Sequence, residues 1–132
     1  MNRLTYLAVF EKTETGYSVY FPDFPGCFTV GKNFEEAFKY AGEALSLHHY
    51  GLCEDGEDIP QPSDITELSS EDVEGNVVCP VTIYPERYKK QYENKRVKTN
   101  CTIPLRLKNA GEEAGIDFSR LLEKAIEDEL QI

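Results

Sequence analysis

The chain has 132 residues, enough for one ordinary domain or two very small ones, and 40% of them are hydrophobic, as in a globular protein. No apolar run approaches the roughly 20 residues that cross a bilayer, and "MNRLTYLAVF" runs into Glu11 and Lys12 without a small-residue cleavage site, so neither a span nor a secretory leader is expected. A net charge of −10 argues against a nucleic-acid binder, and Cys27, Cys53, Cys79 and Cys101 stand too far apart for a C-x-x-C zinc pair or a disulfide framework; reduced thiols in a cytoplasmic protein, with no cofactor or metal, are the expectation.

"LTYLAVF" (4–10) is rich in β-branched and aromatic residues and predicts a first strand. "EKTETG" turns it into a second strand, "YSVYF" (17–21), and "CFTVG" predicts a short third. Between these lies "YFPDFPGCFTVG" (20–31), with two prolines, two glycines, a cysteine and four aromatics. It is either a reactive loop with Cys27 as nucleophile or a stiff brace in which Pro22 and Pro25 fix φ, Gly26 permits a tight turn, and Phe21, Phe24 and Phe28 pack. A nucleophile would need His48 or His49 as base, and no flanking signature supports that. Asn33 predicts a helix cap with Glu36 reaching back. Phe34, Ala37, Phe38, Ala41, Leu45 and His48 then form an apolar stripe on a helix from about 34 to 52. His48 and His49 point about 100° apart there, so one is expected in the core and one at the surface, and they cannot chelate one metal together.

Residues 54–76 form an acidic, proline-bearing loop with one short helix expected, the first place for proteolysis to act. "VVCPVTIY" (77–84) predicts a further strand, placed at a sheet edge because Pro80 has no amide hydrogen. Residues 1–84 therefore read as one β-β-β-α-β domain whose sheet packs one face on a single helix, and the polar, basic "PERYKKQYENKR" (85–96) reads as a linker. The charge is unevenly spread: −11 through Tyr84, +6 over residues 85–108, and −5 thereafter. An acidic body followed by a basic stripe implies two parts with two different partners.

Residues 97–132 begin with the alternating strand Lys98-Thr99-Asn100-Cys101-Thr102-Ile103. Pro104 is expected to stop it and to open a helix at its first turn, ending near Gly115. Asp117 caps a second helix with the stripe Phe118, Leu121, Leu122, Ala125, Ile126 and Leu130. One strand and two short helices cannot close a core, and a lone strand leaves its edge unpaired. Two copies cure both faults. This order of strand, proline, helix, "EEAGI" and capped helix resembles the ribbon-helix-helix family of DNA-binding proteins. The resemblance implies a homodimer whose paired strands lie in the major groove. Alternation turns Lys98, Asn100 and Thr102 toward base edges, while Thr99, Cys101 and Ile103 face the helices. Arg96, together with the free amides around Ser119, would hold phosphates, although Asp117 would repel one there. Cys101, Ile103, Leu107, Leu121, Leu122 and Ile126 make the expected dimer core. Two residues depart from the family pattern: Thr99 on the inner face, and Gly111 in mid-helix at a cost of about 1 kcal/mol against alanine. A strand alternating in this way is, on its own, more often the half-solvated edge of an ordinary sheet than a DNA reader.

The amino-terminal part resembles the corresponding domain of HicB-type antitoxins, through F-P-D-x-P-G-C, T-x-G before the helix, E-E-A on it, and D-G-x-x-I-P-x-P-S after it. The resemblance covers nearly the whole chain. It implies an α+β protein in which a partial ribonuclease-H-like domain without nuclease activity precedes, here, a ribbon-helix-helix domain, the tail being too short for a helix-turn-helix. It also implies two macromolecular partners. One is a small basic HicA-type toxin that cleaves messenger RNA with a histidine, and the other is operator DNA, bound by homodimers that can associate into tetramers or larger assemblies. An acidic body suits a basic toxin, and Asp23, Phe24, Glu35, Glu36 and Glu43 are candidate toxin contacts, though each acid reads equally well as ordinary solvated surface. Two other readings stand beside this one. A nuclease of the ribonuclease-H type needs carboxylates converging on the sheet, and strands 4–10, 17–21 and 77–84 contain none. A stand-alone ribbon-helix-helix repressor would use the acidic domain to sense a small ligand.

Overall fold

Tyr6, Ala8 and Phe10 alternate along β1 (Leu4–Lys12), and all three are buried on one face of a sheet. In this computed structural model, which describes residues 2–132, the sheet has four antiparallel strands in the order β3 (Phe28–Gly31), β2 (Tyr17–Tyr20), β1, β4 (Val77–Ile83). Cross-strand partners share the buried face: Phe10 opposite Val19, and Tyr6 opposite Val81. β4 is an edge strand with Pro80 opposite Leu7, where the missing amide costs no ladder bond that an interior strand would need.

One helix, α1 (Phe34–Glu54), covers this face through Ala37, Ala41, Leu45 and His49, each one turn from the last. The stripe differs from the sequence expectation. Phe38 is 41% exposed, and the buried histidine is His49, whereas half-buried His48 lies edge-on to Phe24 with ring centroids 5.7 Å apart. Small residues decide this, because alanines let the helix approach the sheet where phenylalanine would hold it off. The approach is close enough that a Cβ on Gly31 would lie 2.4 Å from the Ala37 nitrogen. Asn33 caps α1 as expected, accepting from the Glu36 amide at 2.8 Å, while Glu36 itself reaches the Lys32 amide at 3.2 Å, one residue before the cap.

The Phe21–Cys27 stretch is a brace. The Phe24 amide donates to the Phe21 carbonyl, and the Cys27 amide donates to the Phe24 carbonyl, both at 3.0 Å; Gly26 supplies the φ of +86° that closes the turn. Phe21, Phe24 and Cys27 are buried, and Phe24 meets Tyr6 edge-on at 4.6 Å. Burial pushes the Cys27 thiol up to about 11, opposite to what a nucleophile requires. Phe28 does not join this packing and is 69% exposed.

The acidic segment after α1 is pinned at three points. The Tyr6 hydroxyl donates to the Pro60 carbonyl at 2.7 Å, Ser63 donates from its amide and hydroxyl to Asp23 at 2.9 and 2.6 Å, and the Tyr20 hydroxyl donates to Asp72. A 3-10 turn (Ile65–Glu67) and a short helix α2 (Ser70–Val73) break its length. The expected linker at 85–96 is instead largely helical. α3 (Pro85–Glu93) starts with proline in its first turn and sets Tyr88 and Tyr92 on one face against Tyr50 of α1, at 6.0 and 4.8 Å between centroids. Tyr50 donates to Glu93 at 2.7 Å, and Lys89 pairs with Glu54 at 3.8 Å. The i, i+4 tyrosines were the signal that the charged run concealed. The first compact unit thus extends to Lys95, and a second runs from Arg96 to Ile132.

The second unit contains α4 (Leu105–Glu113) and α5 (Phe118–Leu130). Pro104 is the cap of α4 and not a first-turn residue; its carbonyl accepts from Lys108 at 3.2 Å. Asp117 caps α5, accepting from the Arg120 amide at 3.1 Å. The expected strand at 98–103 is not a strand in the single chain: these residues form no regular element and make no ladder bonds, because a strand exists only against a neighbour. Gly111 has a packing reason: a Cβ there would lie 2.6 Å from the Phe118 ring. Among the described residues no helix is long and apolar enough to cross a membrane.

Burial lowers the His49 pKa below its ordinary value, so His49 is neutral in the fold. The unfolded chain takes up the proton more readily, and His49 therefore stabilises above its unfolded pKa of about 6.5 and loses that contribution as pH falls through the folded value. Thermal melts from pH 7.5 to 5 should show a smaller acid-side loss for His49→Asn than for the native chain.

Candidate functional site

Two surfaces merit a functional reading, one on each unit. In the second unit, Thr99, Cys101 and Ile103 line a groove of about 500 Å³ with Phe118, Leu121, Leu122 and Ala125. Lys98, Asn100 and Thr102 are exposed and not part of its wall. The groove is not sealed. Ile103, Leu107, Leu121, Leu122 and Ile126 are all exposed, as is Cys101, and the unit's single buried residue is Gly111. Arg96 pairs with Glu123 at 3.2 Å, but both side chains are solvated, and such a pair is worth about 0–1 kcal/mol and exchanges readily. Ser119 lies in the first turn of α5, where Asp117 already caps the Arg120 amide and its carboxylate also pairs with the Arg120 side chain at 3.4 Å.

In the first unit the candidate toxin contacts separate. Phe24 is 1% exposed and belongs to the core, so it has no surface to offer a partner. Asp23 spends both carboxylate oxygens on Ser63 and is a latch for the acidic segment. Glu36 is half-buried and engaged with the Lys32 amide, whereas Glu35 and Glu43 are exposed on α1. The +6 stripe also divides: Arg87, Lys89, Lys90 and Lys95 fall in the first unit, Arg96, Lys98, Arg106 and Lys108 in the second. Seventeen acids against eight cations leave the first unit at −9.

Sequence reasoning missed the second face of the sheet, where Val9 is buried but the β3 end is exposed. Register puts Leu7, Val9, Tyr20, Val78 and Pro80 on the side away from α1, with Phe28 and Val30 extending it at 69% and 65% exposure. The F-x-V alternation in β3 was the available signal, hidden because the phenylalanine closes a proline-rich turn that reads as core.

The family model for the HicB-like antitoxin of bacterial toxin–antitoxin systems matches residues 6–125. This chain belongs to that family. The curated relative named antitoxin HicB 2, from Photorhabdus laumondii, is 42% identical over 60 residues, 46% of this chain and 43% of that protein. The match thus spans less than half of that relative's length. Among solved structures, a chain of a toxin–antitoxin complex from Streptococcus pneumoniae is 30% identical with a TM-score of 0.61, covering 96% of this chain and 99% of the other. A chain of the HicA3–HicB3 toxin–antitoxin complex is 32% identical with a TM-score of 0.53, covering 62% of this chain and 100% of the other. The mixed α+β fold with its four-stranded antiparallel sheet is therefore that of HicB antitoxins.

Within this HicB-like fold the Asp23 latch fixes how the acidic segment lies. Hydrogen bonds to a charged group contribute about 1.5–3 kcal/mol. Asp23→Ala should raise the rate of limited proteolysis within residues 54–76 by roughly 10- to 150-fold while the helical signal by circular dichroism is retained.

Proposed function

We propose that this chain is a two-part antitoxin. Its first unit, a partial ribonuclease-H-like domain that catalyses nothing itself, binds and neutralises a HicA-type messenger-RNA-cleaving toxin. Its second unit pairs with a second copy as a ribbon-helix-helix, binds operator DNA and represses its own operon. Family membership supports the toxin reading, as does the relative found within a toxin–antitoxin complex. The charge of −9 on the first unit suits a basic, RNA-binding toxin, attracting it at long range.

The observation that carries the DNA reading is the second unit's unburied apolar face. Leu105, Leu121 and Leu130 are exposed by 55% or more. Each stands to gain about 1.5–3 kcal/mol on full burial. A twin would supply both the missing core and the partner strand for residues 98–103, with Lys98, Asn100 and Thr102 turned outward as a ribbon. Lysine donates to guanine, asparagine bridges adenine, and threonine offers a hydroxyl and a methyl. Arg96, Ser119 and the start of α5 would then meet phosphates. Glu35 and Glu43 are the remaining acidic candidates for the toxin. Coupling between toxin occupancy and repression follows if toxin-bound dimers share adjacent operators differently.

The small reading frame beside this gene tests the first half. Expressed alone it should arrest growth; the full chain and a truncation ending at Lys95 should both rescue growth and co-purify with its product. A harmless neighbour that captures nothing would favour a stand-alone repressor. For the second half, Asn100→Ala should weaken operator binding by about 5- to 150-fold, the equivalent of one base contact. Leu122→Glu should give a monomer by sedimentation that binds no operator yet still rescues growth.

A further inference from the structure

The two edges of the sheet are not equivalent. β4 carries Pro80, a common guard against strand addition, whereas β3 has no proline and bonds only to β2. The phase of that ladder is fixed by the Phe21 amide, which donates to the Cys27 carbonyl at 3.3 Å. By alternation the pairs Val19–Thr29 and Tyr17–Gly31 are in the same hydrogen-bonded phase, so the amides and carbonyls of Phe28 and Val30 point away from the sheet. Their side chains are 69% and 65% exposed on the face opposite α1. Beside them Tyr20, the cross-strand partner of Phe28, donates to Asp72; burial first, then that hydrogen bond and the nearby charges of Asp72, Glu11 and Glu71, raise its pKa. An unguarded backbone edge, an apolar strip and three carboxylates are thus combined in one place.

We propose that β3 is a docking edge for a basic protein, which adds an extended segment as a fifth strand. The outward amides and carbonyls of Phe28 and Val30 pair with it, its apolar side chains cover these two residues, and its Lys or Arg groups face Glu11 and Glu71. Charge selects this occupant. A second copy would bring the same carboxylates against themselves on a unit of −9, whereas a cationic chain is attracted. The inference rests on the antitoxin reading, the toxin being the basic protein.

The test uses the full chain and the purified product of the neighbouring reading frame. Dissociation constants are measured for the native chain, Val30→Pro, Phe28→Asp and the strand-compatible control Val30→Thr, each checked by thermal melting. Val30→Pro, which removes one outward amide, and Phe28→Asp should each weaken binding 30-fold or more, with Val30→Thr within threefold. Hydrogen exchange in the complex should newly protect the Phe28 and Val30 amides. Should the proline lower the melting temperature, Phe28→Asp and the exchange measurement decide the matter. Native-like binding by both variants, or no new protection at these amides, overturns the inference and leaves the antitoxin reading standing. A change in the sedimentation of Val30→Pro alone, with partner binding intact, assigns the edge to a second copy and equally overturns it. Failure of the native chain to bind removes the antitoxin reading and this inference with it.

Discussion

The close approach of α1 to the sheet is the constraint on which the first unit rests. It requires a glycine at position 31, alanines at 37 and 41, and no large side chain between the helix axis and β3. Interiors are packed to crystal density, so a helix held this near needs little else to exclude water from one face. The Phe21–Cys27 turn plugs the remaining gap: Phe24 meets Tyr6 from one side and His48 from the other. One helix and one rigid turn can then close a core for a unit whose sheet has only four strands. The consequence is asymmetry, because on the opposite face Val9 is buried and Tyr20 is held by the acidic segment, while Phe28 and Val30 at the β3 end stand in solvent.

The acidic segment is fastened to the same core. Tyr6 lies under α1 and still delivers its hydroxyl to the Pro60 carbonyl, while Asp23 of the rigid turn holds Ser63. A polar stretch that cannot bury enough apolar surface to order itself is thereby ordered by side chains of the sheet and turn. Its carboxylates acquire fixed positions, and Glu71 and Asp72 come to stand beside Tyr20. Charge that looks diffuse in the sequence becomes a local field in the fold.

The second unit has the opposite character. Asp117 caps α5, but the unit has no core of its own beyond the contact of Phe118 on Gly111, which lets the two helices close on one another. Local rules suffice for such helices, while the groove between them and residues 99–103 stays open to solvent.

Much of this was legible in the sequence. Strand and helix periodicity predicted β1 to β4 and α1, Pro80 marked an edge, and Asn33 and Asp117 marked caps, because each of these rests on short-range geometry. The brace at 20–31 was one of two readings until burial of Phe21, Phe24 and Cys27 decided it. What sequence periodicity cannot rank is how closely two elements approach. Hence His49 and not His48 is buried, Phe24 is core and not contact, and α3 packs through Tyr88 and Tyr92 where charge implied a linker. The family resemblance and the acidic charge were in the sequence itself. The Asp23 latch and the carboxylates around Tyr20 join residues some 40 to 60 positions apart, and only tertiary packing could bring them together.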